Sequence, residues 1–463
     1  MKKKLLSMML ATALVTTSFV GCGGNAGSAN SGAADTSADT AADATEADAS
    51  AEEEQVQLIG TSEDPNTLTV SAWDANFNIP ALEAAAAAYQ KENPDFKLEI
   101  QTVSASSDVE NAVTLAGSSG DYSQLPDIVL FQDHYIQNYV SNYPDAWNNL
   151  QDAGIDWNDF GAEKLSYSTI DGVHYGAPVD NGTCVFAYRV DVLEQAGYSL
   201  ADVTGITWDR WLEIAKDVKD KTGYALMSMD HSGDDLPYMM MQAEGQSQWK
   251  DGKPNLVGND TFKKIIEVIV QGANDGTIIL ANGWTEYTDN TIKGDQVAGV
   301  FNGNWIIPTI KGNEATSGKW EITTIPTLTG KEGYASNGGS SLYITGNCQK
   351  VELAQKFLAY TFGGGAGAME TYDNALRNGG VITTCVSASK SDVYNEGVDF
   401  FNNQAIYTTV VEYGTHVPTV EQNDYHYTMR TEVGNVITNV QNGADIDAEI
   451  EAAQGNIEFA MEE

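Results

Sequence analysis

Basic residues are scarce in this chain of 463 residues: Lys and Arg number 24 against 65 Asp and Glu, a formal net charge of −41. Phosphate backbones are bound by clustered Lys and Arg, so this balance argues against a nucleic-acid partner and for an acidic, solubilising surface. Cysteine is also scarce, at 4 residues. Beyond Cys22 there remain Cys184, Cys348 and Cys385, an odd number without metal-ligand spacing. They imply no disulfide framework; buried free thiols are expected, with one pair among the three left open. His134, His174, His231 and His416 show no helical ligand spacing, so polar surface or core roles are expected rather than a metal site. There is no Gly-x-Ser-x-Gly elbow and no His-Glu-x-x-His run, which removes the local signatures of serine hydrolases and zinc proteases. The nearest phosphate-loop look-alike, Gly312 to Gly318-Lys319, has one residue too many between its glycines and Trp320 where Ser or Thr is required. No cofactor is expected.

Long apolar runs are absent as well. The stretch from Leu5 to Val15 follows Lys2, Lys3 and Lys4 and falls short of the roughly 20 residues that cross a bilayer, so it reads as a secretion signal over residues 1–21. Phe19-Val20-Gly21-Cys22 resembles a bacterial lipobox, with Phe19 where Leu is usual; that resemblance implies cleavage before Cys22 and lipidation of its side chain. An ordinary secretory cleavage is the alternative. From Gly23 to about Gln55 the chain is Gly, Ser, Ala, Thr, Asp and Glu without aromatic or basic residues, too polar to offset the entropy of ordering, so residues 22–60 are expected to be an acidic tether. About 400 residues remain, enough for two globular lobes.

In the folded part, Leu68 to Trp73 reads as a first strand. Asn78 is expected to cap a helix with Pro80 near its start. Phe96 to Ile100 alternates as a second strand, and Pro126 to Phe131 is an apolar third ending at Asp133. Strands alternating with helices predict an α/β fold with a mostly parallel sheet. Ligands of such sheets sit beyond the carboxyl ends of the strands, here Trp73-Asp74, Gln132-Asp133 and Val179-Asp180-Asn181. Thr207 caps a helix from Trp208 to Lys221 with Gly223 closing it, and Val297 to Phe301 is another strand that ends in Asn302-Gly303-Asn304-Trp305. Ser341 to Thr345 follows a Gly-rich turn, and Val351 to Phe362 is amphipathic.

In order and spacing, these pieces resemble the family 1 extracellular solute-binding proteins of ABC transporters, the group that includes the maltodextrin-binding proteins. The pieces are the strand with Trp73, Leu125-Pro126-Asp127-Ile128, Tyr175 to Asp180 running into Ala187 to Leu193 and Ala196-Gly197, Thr207-Trp208, Phe301 to Trp305, and Ser336 to Ser340. The resemblance spans about Leu68 to the C-terminus. It implies a two-lobed, type II periplasmic-binding-protein-like fold, each lobe a mostly parallel sheet flanked by helices, with a ligand cleft at a hinge of crossing strands. The crossings fall near Pro178 to Gly182, Thr324 to Pro326 and Val381 to Cys385, dividing the chain into 61–180 with 325–382 and 181–324 with 383–463. It also implies a monomeric, lipid-anchored receptor on the outer face of a bacterial cell membrane. This receptor would capture a carbohydrate and deliver it to the permease subunits of an ABC importer.

Sugars offer hydroxyls, which need fixed polar partners, and apolar ring faces, which stack on aromatic side chains. The candidate ligand residues are therefore Trp73, Asp74 and Asp133 from the first lobe, Asp180 and Asn181 from the hinge, and Trp305 with Asn302 from the second lobe. The turn Asn337-Gly338-Gly339 permits close backbone approach, and Trp284, Tyr287 and Tyr425-His426-Tyr427 are secondary candidates. Trp147, Trp157, Trp208 and Trp211 are expected in the core. Two alternatives stay open: the same fold binding a peptide, polyamine, metal chelate or phosphorylated polyol, and a lipid-anchored glycoside hydrolase built on paired carboxylates. No Arg or Lys cluster is visible among the strand-end residues, which favours a neutral ligand.

Overall fold

The computed structural model describes residues 56–462, apart from 76, 232–234 and 424. The expected leader, Cys22 and most of the tether lie outside the described residues. The body is built on an eight-stranded mixed sheet. Strands β1 (Thr67–Ala72), β2 (Lys97–Thr102) and β3 (Ile128–Gln132) run parallel, with helix α1 (Asn78–Glu92) crossing between the first two. The long strands β4 (Gly176–Arg189) and β7 (Ser336–Thr345) then join antiparallel. Beyond them, β5 (Gly299–Gly303) and β6 (Trp320–Thr323) both pair with the second half of β4, again antiparallel. β1 is buried along its whole length, as a sheet covered on both faces requires.

One apolar core contains Leu68, Val70, Ile128, Leu130, Leu342, Ile344 and Phe357. A second holds Phe186, Trp208, Trp211, Met240, Ile265 and Val433, and a third holds Val185, Ala187, Val300, Ile322 and Ile406. β4 takes part in all of them: Ala177 and Val179 belong to the first, Phe186 and Tyr188 to the second, Val185 and Ala187 to the third. The chain also returns to this strand through a bridge between Asp180 and Thr383.

Local chemistry explains the second core. Helix α2 (Trp208–Thr222) begins where Thr207 Oγ1 accepts from the Arg210 amide at 3.1 Å and stops at Gly223, φ 85°. Trp208, Trp211, Leu212, Ala215 and Val218 fall on one buried face, each indole contributing about 1.5–3 kcal/mol by leaving water. The Trp211 indole N–H finds the Tyr188 hydroxyl at 2.8 Å, so its burial strands no donor. Trp147 is buried as well, whereas Trp157 is partly exposed and stacks on His174. Cys184, Cys348 and Cys385 are buried and no two of them are joined in a disulfide, which removes the option of a pair among them.

Where β4 passes β7, there is no room for a side chain at Gly182: a Cβ would lie 1.9 Å from the Asn337 carbonyl oxygen. Gly182→Ala should therefore lower the unfolding free energy by about 3 kcal/mol, at the upper end of overpacking costs. Gly455, inside the helix Ile446–Ala460 with nothing within 4 Å of its Cβ position, provides the contrast. Gly455→Ala should stabilise by about 0.5–1 kcal/mol. Urea unfolding of both variants checks the pair.

Candidate functional site

A cleft of about 620 Å³ opens beyond the strand ends. Trp73, Asp74, Asp180, Trp284, Asn302, Trp305, Asn337, Gly338 and Gly339 all line it, which brings together nine of the residues singled out from the sequence. At the end of β1 the backbone turns sharply at Asp74, φ 64°. The Asp74 carbonyl accepts from the amides of Phe77, Asn78 and Ile79 at 3.1–3.3 Å. A backbone oxygen thus does the capping assigned to the Asn78 side chain, and Asn78 becomes the first helical residue instead. Its freed Oδ1 is buried at the cleft wall with no hydrogen-bond partner.

On the opposite wall, the turn at the start of β7 is held from three directions. The Trp305 indole N–H donates to the Asn337 carbonyl at 2.7 Å, and Asn337 Nδ2 donates to Asn302 Oδ1 at 2.9 Å. Asn302 Nδ2 in turn donates to the Tyr287 hydroxyl at 3.1 Å. The Gly338 amide donates to His134 Nε2 at 3.1 Å. Gly338 and Gly339 have φ of 76° and 102°, and a Cβ on Gly339 would lie 2.7 Å from Asp133 Oδ2, so this turn needs glycine twice over. Because His134 accepts at Nε2, its neutral ring carries the proton on Nδ1, which has no partner. Burial, the neighbouring His426 and the Arg430 charge push its pKa down to about 3.

Asp133, Asn181 and Tyr425 lie elsewhere, as do the buried secondary candidates Tyr287 and His426. Asp133 does not line the cleft. It is fully buried beneath the turn, ion-paired to Lys164 on the helix Ala162–Ser168, with Ser341 Oγ donating to it at 3.0 Å. Lys164 Nζ also donates to the Ser340 carbonyl at 2.8 Å. Asp180 takes the Ser340 amide at 3.0 Å, and Glu163 binds the Ser336 hydroxyl. Lys164 is thus the one ammonium beside three buried carboxyls, and burial raises the pKa of all three, Asp133 up to about 7. Asn181 turns its amide toward Gly414, behind the cleft, while its carbonyl accepts from Asn304. Tyr425 ends at the helix start and packs on the second core. The helix begins one residue later, so Tyr427 and Arg430, three apart and on one face, line the cleft in its place.

Tyr427, a secondary candidate, and Gln132, at an expected strand end, also line the cleft, whereas His134, Asp235 and Arg430 were not expected there. The rings of His134 and His426 stack at 4.5 Å with an interplanar angle of 1°. His426 Nε2 lies 3.0 Å from Asp235 Oδ1, and Arg430 Nη1 lies 3.5 Å from Asp235 Oδ2. Burial raises the Asp235 pKa, but His426 and Arg430 more than offset it, leaving the carboxyl below its usual range. The Arg430 guanidinium covers the Tyr427 ring at 4.1 Å, and its Nε is buried without a partner. Among the described residues, no group of three or more His, Cys, Asp or Glu is arranged to hold a metal ion, and no helix is long and apolar enough to cross a membrane.

With this geometry in hand, known proteins place the chain. Residues 84–402 match the family described as bacterial extracellular solute-binding protein. The chain is 31% identical over 400 residues to the lactose-binding protein of Rhizobium radiobacter, covering 86% of this chain and 93% of that one. It is 24% identical over 325 residues to the arabinooligosaccharide-binding protein of Halalkalibacterium halodurans, covering 66% and 70%. Its fold superposes with a TM-score of 0.66 on the ABC-transporter-associated binding protein of B. animalis subsp. lactis Bl-04, solved with β-1,6-galactobiose, at 21% identity over 86% of this chain and 98% of that one. The architecture is therefore the two-lobed α/β fold of solute-binding proteins, and these relatives are binding proteins rather than enzymes.

The raised pKa of Asp133 fixes the sign of a pH effect. A carboxyl that ionises near 4 when unfolded and at about 7 when folded binds more protons in the folded state across that window, so its contribution to stability falls as pH rises from 4 to 7. The stability difference between wild type and Asp133→Asn should accordingly shift against wild type over that range. Urea unfolding at a series of pH values checks this, and a difference independent of pH would contradict it.

Proposed function

The chain belongs to the bacterial extracellular solute-binding proteins, and from that premise we propose that its cleft captures a neutral saccharide of two or a few rings for delivery to an ABC importer. One observation carries the reading. Indole surfaces of Trp73, Trp284 and Trp305 share the cleft with the polar side chains of Asp74, Gln132, Asp235 and Arg430. A hydroxyl-rich guest with bare ring faces complements both kinds of surface.

Charge supports neutrality. Asp74, Asp180 and Asp235 line the cleft against the single guanidinium of Arg430, which is already paired. A phosphate or carboxylate would meet more repulsion than attraction. The relatives whose names refer to lactose and arabinooligosaccharides support the same class.

In this reading the lobes, 61–180 with 325–382 and 181–324 with 383–463, rotate about β4 and shut on a guest that touches both. The protein acts as a monomer, held at the outer face of the cell membrane by acyl chains on Cys22 and docking on permease subunits through its closed form.

Thermal shift and calorimetry with lactose, β-1,6-galactobiose and arabino-oligosaccharides test the proposal: at least one should bind without being turned over. Trp305→Ala should weaken that ligand by about 1 kcal/mol or more, roughly fivefold; unchanged affinity would return Trp305 to a packing role. Cys22→Ala should move the protein from the membrane fraction to the medium, and retention at the membrane would remove the lipid anchor.

A further inference from the structure

The cleft wall is a continuous chain of contacts with unlike ends. At one end Trp284 is 52% exposed and leans on Trp305 at 5.7 Å. From Trp305 the contacts pass through the Asn337-Gly338 turn to His134, across the stacked imidazoles to His426 and Asp235, and on to Arg430 and Tyr427. At that far end the two sides of the cleft touch each other. The Tyr427 hydroxyl donates to Gln132 Oε1 at 2.9 Å, and the Tyr427 ring stacks on Tyr135 at 4.1 Å and 11°. Gln132 ends β3 in the first lobe's sheet, whereas Tyr427 sits on a helix whose Met429, Val433 and Ile437 belong to the second core. A ligand ring reaching this end meets a wall that spans the cleft; at the Trp284 end it meets solvent.

Building on the saccharide reading above, we infer that the cleft is blind at the Tyr427 end and open at the Trp284 end, so that Arg430 with Asp235 reads the terminal ring of a saccharide whose remaining units leave over Trp284. The chemistry of the pair suits that task. Arg430 offers only donors and Asp235 only acceptors. Adjacent hydroxyls of one terminal ring can accept from the partly exposed Arg430 guanidinium and donate to Asp235, and a ring substituted at those oxygens loses both the bonds and the space. The stack on Tyr427 and the Asp235 contact hold the guanidinium plane in place, so the geometry rather than the charge alone selects the ring.

Calorimetry with three probes tests this: lactose, lactose methylated at its anomeric oxygen, and lactose carrying a further galactose at its non-reducing end. One substituted probe should bind within threefold of lactose and the other at least tenfold more weakly. If both bind within threefold, the cleft is open at each end; if both are lost, it is enclosed at each end; either result overturns the inference. Arg430→Gln should weaken lactose and the tolerated probe by the same factor, at least tenfold, whereas Trp284→Ala should weaken the tolerated probe more than lactose. A merely structural role for either residue would not produce that contrast, and lactose affinity within threefold of wild type in Arg430→Gln would overturn the role given to Arg430. If the wild-type protein binds neither lactose nor β-1,6-galactobiose, nor any arabino-oligosaccharide, the function proposed above fails and this inference fails with it. If it binds one of the others alone, the same pair of end-substitutions is made on that sugar.

Discussion

The structure depends on one strand being shared by three cores. β4 runs for fourteen residues, all buried, and takes its partners from β7 in its first half and from β5 and β6 in its second. Several elements of the cleft are placed against it. Gly182 allows the Asn337 backbone to lie against it, Asp180 receives Ser340 from β7, and the bridge to Thr383 brings the chain back beside it. Packed interiors resist continuous deformation, so the closure proposed above would have to fall on the few residues of β4 that lie between cores.

The elements that were legible in the sequence are those specified by local chemistry. Thr207 and Gly223 bracket their helix because each satisfies backbone groups within a turn of itself. The alternation of β2 and the apolar run of β3 likewise reflect faces rather than partners. Misplacements came where a partner distant in sequence, or a backbone atom, took over a role. The Asp74 carbonyl displaced the Asn78 side chain from capping; Asp tolerates a positive φ, but its type does not say which Asp adopts one. Asp133 sits at a strand end, yet Lys164, 31 residues on, draws it under the floor. Of the Tyr425-His426-Tyr427 cluster, the helix that begins at His426 presents Tyr427 to the cleft and, three residues on, adds Arg430.

Beneath the turn, the buried charges form a scaffold rather than a binding surface. A lone ammonium among three carboxyls ties together the helix that carries Lys164, the end of β3 and the start of β7. Breaking such a pair by removing one partner is costly, because the other is left charged and dry. The cluster therefore fixes the position of the Gly338-Gly339 backbone. His134 serves the same end from above: held neutral, it keeps an acceptor in front of the Gly338 amide.

The hydrogen bond from the Trp305 indole to the Asn337 carbonyl also limits what that residue is able to recognise. With its only donor committed to the protein, the side chain has nothing left to offer a guest except its flat π surface. It is indifferent to where a hydroxyl points unless that hydroxyl intrudes between ring and indole. For the saccharide proposed above, pyranoses whose stereochemistry gathers the C–H bonds onto one side, leaving that side bald, would be favoured over epimers that scatter oxygen on both, so that configuration would be sorted here by exclusion.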